Sequence, residues 1–371
     1  MHVLHVLDAS CDETQLQLMD SLRSRPARDG GGHTVCSIDG PMTGRAARFL
    51  CCDVLHAERR LWRAMNVAPL LSTCAPKTGA TLVHAWGVAA AAACSARLPD
   101  LPLVLTVVNP EVTRDAGRWV RSFPTDATVV AGNQATAARL LAAGVVPERV
   151  VVIRGPVDFG AINDARAKDI RRSVVGDAEP VLLMPGPPSA SSGAYYGVWA
   201  SAVLLQVFTD LRVIMPYDST ESRRLQRFVR DIRMPSMLVV PDPRLTWPQL
   251  VSCADVMMAP ARGDICTEPI AMAMAAGVTV VGAAVRSVAE LITDRRTGLL
   301  YDPRRPRLLA NRVLEAIDDP ELRRTLGEAA RARAFEMFSA RAFLDNYQRL
   351  YENILSGKPP GAGVRDTFAA A

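Results

Sequence analysis

Lysine is almost missing from this chain. Its 371 residues include only Lys77, Lys168 and Lys358, so nearly all of the 43 basic side chains are arginines. The arginines are spread beside aspartate and glutamate along predicted helices, and they form no single basic run with interleaved aromatic residues. Because the net charge is only +5, the sequence carries no signal for nucleic-acid binding, and no nucleic-acid partner is expected.

Long apolar runs and paired cysteines are missing as well. No apolar run reaches the ~18–20 residues that a membrane-spanning helix needs. The N-terminus enters a strand-like run without a basic leader, so no secretion signal is expected. The eight cysteines show no C-x2-C spacing, and Cys51 and Cys52 are adjacent, a poor geometry for two ligands of one metal ion. We therefore expect a cytoplasmic protein with reduced thiols, no metal site and no cofactor.

Three sequence motifs of common enzyme classes are also lacking. The first predicted strand is not followed by G-x-G-x-x-G, and no G-x-x-x-x-G-K-[ST] occurs, so the dehydrogenase and P-loop interpretations are weak. No G-x-S-x-G elbow is present, which disfavours a serine hydrolase. With 49% hydrophobic and 22% charged residues, the chain can nevertheless bury two cores of ordinary size.

What the chain does contain is a regular alternation of predicted strands and helices. This alternation predicts an α/β protein with doubly wound, Rossmann-like domains. One segment, Gly44–Met65, has the spacing of an amphipathic helix, which is either a surface helix packed on the sheet or a helix that touches a membrane. The predicted organisation is a first domain at 1–162, a linker at 163–179, a second domain at 180–338, a last helix at 339–355 and a flexible tail at 356–371.

The stretch Cys253–Pro303 carries the most specific pattern. It predicts a buried strand at 255–260, a loop, a helix that begins after Thr267 and ends at Gly277, and a second buried strand. Pro269 supports the helix start, because the missing N–H of proline costs nothing in the first turn. Strand, loop, helix and strand form a βαβ unit, so a parallel sheet is expected.

This stretch resembles the signature region of family-4 (group 1) glycosyltransferases, which are retaining enzymes of the GT-B architecture. The positions in register are Pro269, Ala273, Met274, Ala275, Gly277, Val280, Val281, Glu290, Thr297, Gly298 and Asp302. The two glutamates of the family's E-x7-E pair fall on Asp264 and Met272, and the loop glycines fall on Ile265 and Thr267. The resemblance implies a GT-B fold, in which two Rossmann-like domains face a cleft and the last helix crosses back onto the first domain.

The resemblance also places the donor site. The family holds the donor diphosphate with an Arg and a Lys in a G-R-x-x-x-x-K-G pattern, which corresponds here to Gly186–Gly193. Pro187 stands at the Arg position and Ser192 at the Lys position. Losing two charge-assisted contacts of ~1.5–3 kcal/mol each predicts a donor affinity lower by about two to four decades. Arg286 follows a strand at its carboxyl end and is expected to supply the missing positive charge.

The remaining candidate residues follow from the same comparison. Asp264 keeps the charge of the family's first Glu and is expected to be catalytic. His84, at the end of a predicted strand, is the second catalytic candidate, with a structural histidine as the alternative. The full donor-binding set consists of Arg286, Glu290, Gly186, Ser192 and Glu268. The negative charge of Glu268 is favourable at the start of a helix, but it would repel the diphosphate of a donor. A surface acid that stabilises the helix is therefore the simpler interpretation of Glu268.

Three further positions of the first domain were compared with the family. The family's Gly-Gly turn near the phosphates falls on Asp12 and Glu13, and a family His falls on Val108. Trp86 could stack on a sugar ring or pack in the core.

Two functions remain open at this point. The expected function is transfer of a hexosyl group from a nucleotide sugar to a hydroxyl acceptor with retention, in polysaccharide or glycolipid assembly. The alternative is a catalytically inactive GT-B protein that binds a glycan or a partner glycosyltransferase, because several donor-site positions have lost their chemistry while the folding positions persist. The expected partners are a nucleotide sugar and a carbohydrate or lipid-linked acceptor, with at most peripheral membrane contact.

Overall fold

Every described strand runs parallel to its neighbours, as expected where buried strands alternate with helices. The computed structural model describes residues 1–8, 11, 13–23, 32–38, 54–56, 71, 75–122, 127–186, 189, 191–216 and 220–365. The chain divides into two compact units, one of Met1–Pro156 with Ala340–Ala371 and one of Val157–Ser339. The α/β, doubly wound GT-B prediction is confirmed at the level of the fold, with one parallel sheet in each unit.

The first unit contains a seven-stranded sheet in the order β3-β2-β1-β4-β5-β6-β7. Its strands are β1 (Val3–Leu7), β2 (His33–Ser37), β3 (Val54–His56), β4 (Leu82–Ala85), β5 (Leu103–Val107), β6 (Thr128–Ala131) and β7 (Val150–Val152). Its helices are α1 (Glu13–Arg23), α2 (Val88–Arg97), α3 (Thr113–Ser122), α4 (Gln134–Ala142) and, from the end of the chain, α14 (Ala340–Leu355).

The second unit contains a six-stranded sheet in the order β10-β9-β8-β11-β12-β13. Its strands are β8 (Val181–Leu183), β9 (Arg212–Ile214), β10 (Leu238–Val239), β11 (Val256–Ala259), β12 (Thr279–Ala283) and β13 (Leu299–Tyr301). Its helices are α5 (Phe159–Ala167), α6 (Arg171–Val175), α7 (Ala194–Leu204), α8 (Thr220–Asp231), α9 (Trp247–Ser252), α10 (Glu268–Ala276), α11 (Arg286–Ala289), α12 (Arg307–Asp318) and α13 (Pro320–Met337).

Strands β1, β4, β5, β6, β8, β11 and β12 are buried along their whole length. β1, β5, β11 and β12 have no exposed residue, so they are continuous apolar runs and do not alternate between polar and apolar positions. This pattern is typical of parallel sheets covered by helices on both faces. Some strands of the first unit also contain buried polar side chains, among them those of His5, His84 and Thr106.

The most specific prediction agrees closely with the structure. Helix α10 begins at Glu268, directly after Thr267, with Pro269 as its second residue. It ends at Gly277, whose φ of 73° is the left-handed conformation that favours glycine at this position. The Thr267 side chain accepts no capping hydrogen bond from the helix, so the threonine marks the helix start without capping it.

Two segments of the predicted organisation need correction. Residues 54–56 form β3, which pairs with β2, so a helix cannot run through Gly44–Met65; the rest of that segment lies outside the described residues. The predicted linker at 163–179 lies inside the second unit and contains α6 and the end of α5. Arg166 of α5 donates to the carbonyl oxygen of Ala276 at 3.2 Å, which holds this segment against the end of α10.

The segment predicted as a flexible tail is also ordered over residues 356–365. Asn346 of α14 donates to the carbonyl oxygen of Arg365 at 2.8 Å and accepts from its backbone N–H at 3.1 Å. Asn353 donates to the carbonyl oxygen of Ala362 at 2.8 Å. These side-chain amides satisfy backbone groups of a glycine- and proline-rich segment that forms no regular element. Residues 366–371 lie outside the described part of the chain.

An ion pair between Arg171 and Asp255 joins α6 to the start of β11. Two guanidinium nitrogens of Arg171 donate to the two carboxylate oxygens of Asp255, at 3.0 and 2.8 Å. One of these oxygens also accepts from the backbone N–H of Val181 at 2.8 Å, where β8 begins. The hydrogen bond to Asp255 raises the pKa of Arg171, and about a quarter of each side chain is exposed.

Replacing Arg171 with alanine is expected to lower the free energy of unfolding by about 2 kcal/mol, because it leaves a largely buried carboxylate with one partner fewer. The neighbouring pair of Arg172 and Asp177 is the matched control, since both side chains are 81% exposed. An exposed pair contributes about 0–1 kcal/mol, so Arg172→Ala should change little. Urea unfolding of both variants measures the difference, and equal losses would refute the structural role given to Arg171.

Candidate functional site

Three loops of the second unit meet at one edge of its sheet. They are the described residues 186, 189 and 191–193 after β8, residues 260–267 after β11, and residues 284–285 after β12 with the short helix α11 that follows them. Because β8, β11 and β12 are adjacent and parallel, all three loops leave from the carboxyl ends of their strands. In open α/β sheets this edge is where ligands bind. It is therefore the candidate functional site.

The first two loops are joined through the backbone. The carbonyl oxygen of Ser191 accepts from the N–H groups of Arg262 at 2.7 Å and Gly263 at 3.3 Å. Ser192 is buried, and its hydroxyl accepts from the N–H of Ser189 at 2.8 Å, which closes a tight turn before α7. Gly193, with a φ of 66°, ends this turn. Ser192, a predicted donor-binding residue, therefore shapes the loop.

The loops after β11 and β12 are joined by a reciprocal pair of hydrogen bonds. The N–H of Ser287 donates to a carboxylate oxygen of Asp264 at 3.0 Å. In return, the Ser287 hydroxyl accepts from the N–H of Ile265 at 3.0 Å. The carboxylate of Asp264, a predicted catalytic residue, is thus held at the start of α11 by a buried serine. This link fixes the position of Asp264 relative to Arg286, which directly precedes Ser287 in the chain.

Two arginines contribute positive charge at this edge. Arg286, a predicted donor-binding residue, is exposed as the first residue of α11. Arg262 is exposed as well, and its guanidinium carbon lies 5.4 Å from the centre of the Tyr196 ring. A guanidinium held over an aromatic face retains its hydrogen-bond donors at the rim. The sequence analysis did not single out Arg262.

The two glutamates of the predicted set lie at helix ends. Glu268 is the first residue of α10, and its carboxylate accepts from the thiol of Cys266 at 2.9 Å. Glu290 follows the last residue of α11, and its carbonyl oxygen accepts from Arg333 at 3.3 Å. Glu290 therefore lies about one helical turn along α11 from Arg286.

Three further positions implied by the resemblance lie at this edge or on α10. Gly186 has a φ of 75°, and a Cβ placed there would have no heavy atom within 4 Å, so the backbone is open on that side. Ile265 is buried, and Met272 is half-buried on α10, where the resemblance implies an acid. Pro187 and Asp12 lie outside the described residues.

His84 does not lie with these residues in the second unit. It is fully buried in β4 of the first unit, where one ring nitrogen is 2.6 Å from the hydroxyl of Tyr351 and the other is 2.7 Å from that of Thr106. With both ring nitrogens engaged, His84 is the structural histidine that the sequence analysis kept as the alternative, and its catalytic assignment is corrected. Trp86 is also buried and stacks on His84 at 4.2 Å between ring centres, so it packs in the core.

Three histidines of the first unit, His5, His33 and His84, form a neutral polar cluster. The indole N–H of Trp86 donates to His5 at 3.0 Å, and His5 is 2.9 Å from His33 between ring nitrogens. Burial lowers the pKa of His84 to about 3 and that of His33 to about 4. The pKa of His5 is lowered well below its ordinary value, mainly because the ring is buried and secondly because His84 lies nearby. A group with these pKa values is uncharged at neutral pH.

Within the described residues, no group of three or more His, Cys, Asp or Glu side chains is arranged to hold a metal ion. In that same part of the chain, no helix is long and apolar enough to cross a membrane.

Comparison with known proteins gives a family match in the second unit. Residues 244–333 match the model of "Glycosyl transferases group 1", which includes the loops after β11 and β12. The chain is 26% identical over 196 residues to the alpha-D-kanosaminyltransferase of Streptomyces kanamyceticus, covering 52% of this chain and 51% of the relative. It is 23% identical over 146 residues to the N-acetyl-alpha-D-glucosaminyl L-malate synthase of Bacillus anthracis, covering 39% of this chain and 38% of the relative. The chain thus spans about half or less of the length of these relatives.

Solved structures match nearly the whole chain. Anabaena HepE in complex with UDP-glucose aligns with a TM-score of 0.79 and 19% identity, covering 95% of this chain and 99% of that structure. Sucrose-phosphate synthase from Thermosynechococcus elongatus aligns with a TM-score of 0.76 and 17% identity, covering 96% of this chain and all of that structure. At this level of identity the likeness establishes the fold.

Proposed function

Since the chain is a GT-B protein related to group 1 glycosyltransferases, we propose that it transfers a hexosyl group from a nucleotide sugar to a hydroxyl acceptor. The observation that carries the proposal is the meeting of three strand-end loops in the second unit, tied together by Asp264, Ser287 and Ser191. This arrangement holds a carboxylate and a neighbouring arginine in fixed positions at the edge where α/β sheets bind ligands.

The exposed arginines at this edge can stabilise the negative charge of the leaving group, the nucleoside diphosphate. In the transfer, the bond between the sugar carbon and the diphosphate oxygen breaks, a bond to the acceptor oxygen forms, and the proton of the acceptor hydroxyl passes to the leaving diphosphate. Negative charge therefore develops on the diphosphate, and positioned cations stabilise it more in the transition state than in the ground state. We assign this role to Arg286, with Arg262 as a second cation, in place of the family's missing Arg and Lys.

The acidic and small residues take the remaining roles in the proposal. Asp264, oriented by Ser287, faces the sugar as the catalytic carboxylate, and Glu290 binds the ribose. Gly186 leaves its backbone open to the diphosphate, and Ser192 sets the loop that approaches it. Glu268 is given no direct contact with the donor in the proposal, because a carboxylate in the first turn of α10 repels a diphosphate. Retention of configuration at the sugar carbon is part of the proposal and is supported by the family resemblance.

The names of two similar proteins support a sugar donor. One relative is a kanosaminyltransferase, and the solved neighbour HepE is described in complex with UDP-glucose. Uridine diphosphate sugars are therefore the first donors to test. The proposed acceptor is a carbohydrate or a lipid-linked sugar, and the proposed setting is cytoplasmic polysaccharide or glycolipid assembly.

A second function is favoured by one specific observation. Met272 stands half-buried on α10 where the resemblance implies an acid. If this change has abolished catalysis, the protein acts as a GT-B module that binds a glycan or a partner glycosyltransferase.

Thermal unfolding against a panel of nucleotide sugars and free nucleoside diphosphates separates the two functions. A ligand that binds only the native state stabilises it by about 2.7 kcal/mol when present at 100 times its dissociation constant. An upward shift of the midpoint with one donor, followed by release of its nucleoside diphosphate, is the expected result for a transferase. A flat response across the panel would reject the donor site and leave the binding module.

Replacing Arg286 with alanine is expected to raise the dissociation constant for a nucleoside diphosphate by about ten- to a hundredfold, because one charge-assisted hydrogen bond contributes ~1.5–3 kcal/mol. Isothermal titration measures the constant. The matched control is Arg296→Ala, since Arg296 is equally exposed in the same unit but precedes β13, at the other edge of the sheet. Identical titrations of the Arg286 variant and the parent would remove Arg286 from the site.

A further inference from the structure

Helix α7 and the turn that follows it carry a row of exposed apolar side chains. Tyr195, Trp199, Val203 and Val207 are 47%, 40%, 45% and 64% exposed. No charged residue occurs between Gly193 and Thr209, so no charged side chain of this segment interrupts the row. Single exposed apolar residues are ordinary on protein surfaces, but a continuous row indicates an interaction site.

The spacing places the row on one side of the helix. Tyr195, Trp199 and Val203 follow each other at intervals of four, the spacing that brings side chains onto the same helical face. From Tyr195 to Val203 this part of the row is about 12 Å long at the rise of an α-helix, and Val207 lies in the turn that directly follows the helix. The opposite side of α7 is buried through Gly197, Val198, Ser201 and Leu204, so the helix is anchored by one apolar face and presents a second one.

The neighbouring helix α8 supplies positive charge beside this row. The Tyr195 ring lies 6.0 Å from the ring of Phe228 on α8, so the two helices are in contact at that point. Residues 220–233 contain five arginines and two acids, Glu221 and Asp231. Glu221 forms an ion pair with Arg224. The exposed arginines 223, 227 and 230 follow the helical period and form a cationic stripe on α8.

We propose that the row on α7 and the arginine stripe on α8 form a docking surface for a membrane with anionic lipid headgroups. Tyrosine and tryptophan favour the boundary between water and lipid, because an apolar ring and a polar edge are both satisfied there. Arginines beside an apolar face are attracted to the negative surface of such a membrane. Another copy of this chain would present the same cationic stripe, whereas an anionic lipid surface complements it. The proposal does not depend on the transferase activity.

This surface differs from the membrane-touching helix considered for Gly44–Met65. It lies in the second unit, and it is built from described residues whose exposure is known. If it docks, the second unit is held at the surface where a lipid-linked acceptor would reside.

Co-sedimentation of the full chain with lipid vesicles tests the proposal. The probes are vesicles of phosphatidylglycerol and phosphatidylcholine in equal parts, and vesicles of phosphatidylcholine alone. We expect binding to the first kind, loss of that binding as salt is added, and little binding to the second kind. The double variant Trp199→Ser with Val203→Ser should lower the partition coefficient about tenfold or more, since it removes the central apolar area. The triple variant with arginines 223, 227 and 230 changed to glutamine should lower it by a similar factor, about tenfold.

The matched control is Phe335→Ser, because Phe335 is 70% exposed on α13 of the same unit and lies outside the row. This variant should bind vesicles like the parent, and thermal unfolding confirms that each variant is folded. The proposal is overturned if the parent does not bind anionic vesicles, or if the double variant of Trp199 and Val203 binds them with the same partition coefficient as the parent. A parent dimer that becomes monomeric in that variant, without vesicle binding, would assign the row to self-association. Binding of an acidic protein without vesicle binding would assign it to a protein partner.

Discussion

Replacing Gly193 with alanine is expected to destabilise the second unit by about 3 kcal/mol or more and to abolish nucleotide binding. A Cβ at this position would overlap the carbonyl oxygen of Pro260 and lie 2.8 Å from its carbonyl carbon. These are backbone atoms at the end of β11, so no side-chain rotation relieves the clash. The φ of 66° adds the cost of the left-handed conformation, about 1–2 kcal/mol for a residue with a Cβ.

The consequence for the site is the separation of two loops. Moving residues 189–193 away from Pro260 stretches the 2.7 Å hydrogen bond from the Arg262 N–H to the Ser191 carbonyl. The loop after β11, which carries Asp264, then loses its support from the loop after β8. We therefore expect this variant to lose donor affinity in addition to stability.

Gly186 provides a matched control in the same loop. Its φ of 75° is equally left-handed, but a Cβ there would meet nothing within 4 Å. Gly186→Ala should cost only the backbone term, about 1–2 kcal/mol. Chemical unfolding of both variants isolates the effect of close backbone approach. If both variants lose the same free energy of unfolding, the close approach of Gly193 to Pro260 does not contribute to stability.

Lowering the pH from 7 to 5 is expected to lower the free energy of unfolding of the first unit by about 2 kcal/mol through His84 alone. The pKa of His84 is lowered to about 3 in the folded protein, against about 6.5 for a histidine in an unfolded chain. Between these values the unfolded state binds a proton that the folded state excludes, so stability is full above pH ~6.5 and falls as the pH drops toward ~3. The lowered pKa of His5 acts in the same direction.

Urea unfolding at pH 7 and pH 5 measures this loss of stability. The unfolding is followed by a spectroscopic signal that reports on the first unit. In a His84→Gln variant the side chain does not titrate, so its stability should depend less on pH, although the variant is less stable at pH 7 because the contacts with Tyr351 and Thr106 are disturbed. A His2→Gln variant is the control, since His2 is only partly buried. If the parent and the His84 variant lose the same stability between the two pH values, the neutral polar cluster of histidines is not the cause.

Much of the fold could be predicted because its signals are local. Helix α10 is marked by Thr267, Pro269 and Gly277, which act within their own turns, and β11 and β12 are apolar runs. The sequence pattern predicts none of the helices α3, α5, α6 and α9. In α3, the buried residues Ala116, Trp119 and Val120 do follow the helical period, but arginines and a glycine lie between them and weaken the pattern.

The candidate site could be located from the sequence, but its internal contacts could not. The carboxyl ends of β11 and β12 are predictable as neighbours in a βαβ unit, which brings Asp264 and Arg286 to one edge. The hydrogen bond from Ser287 to Asp264 joins residues 23 positions apart and depends on the path of two loops. No sequence period reports such a contact.

His84 shows the opposite difficulty. Its position at a strand end is equally compatible with a site and with a core. Its partner Tyr351 is 267 positions away, on a helix that returns to the first unit from the end of the chain. Burial of a polar side chain in a strand centre is decided by such distant partners, so the sequence left two alternatives and the structure selects one.

The most direct test of the proposed sugar transfer is the release of nucleoside diphosphate from nucleotide hexoses, beginning with UDP-glucose, in the presence of monosaccharide and lipid-linked acceptors. We expect acceptor-dependent release from at least one donor, reduced in Arg286→Ala and Asp264→Ala and unchanged in Arg296→Ala. If the folded chain releases no diphosphate from any donor and no donor raises its unfolding midpoint, the proposed transfer is contradicted.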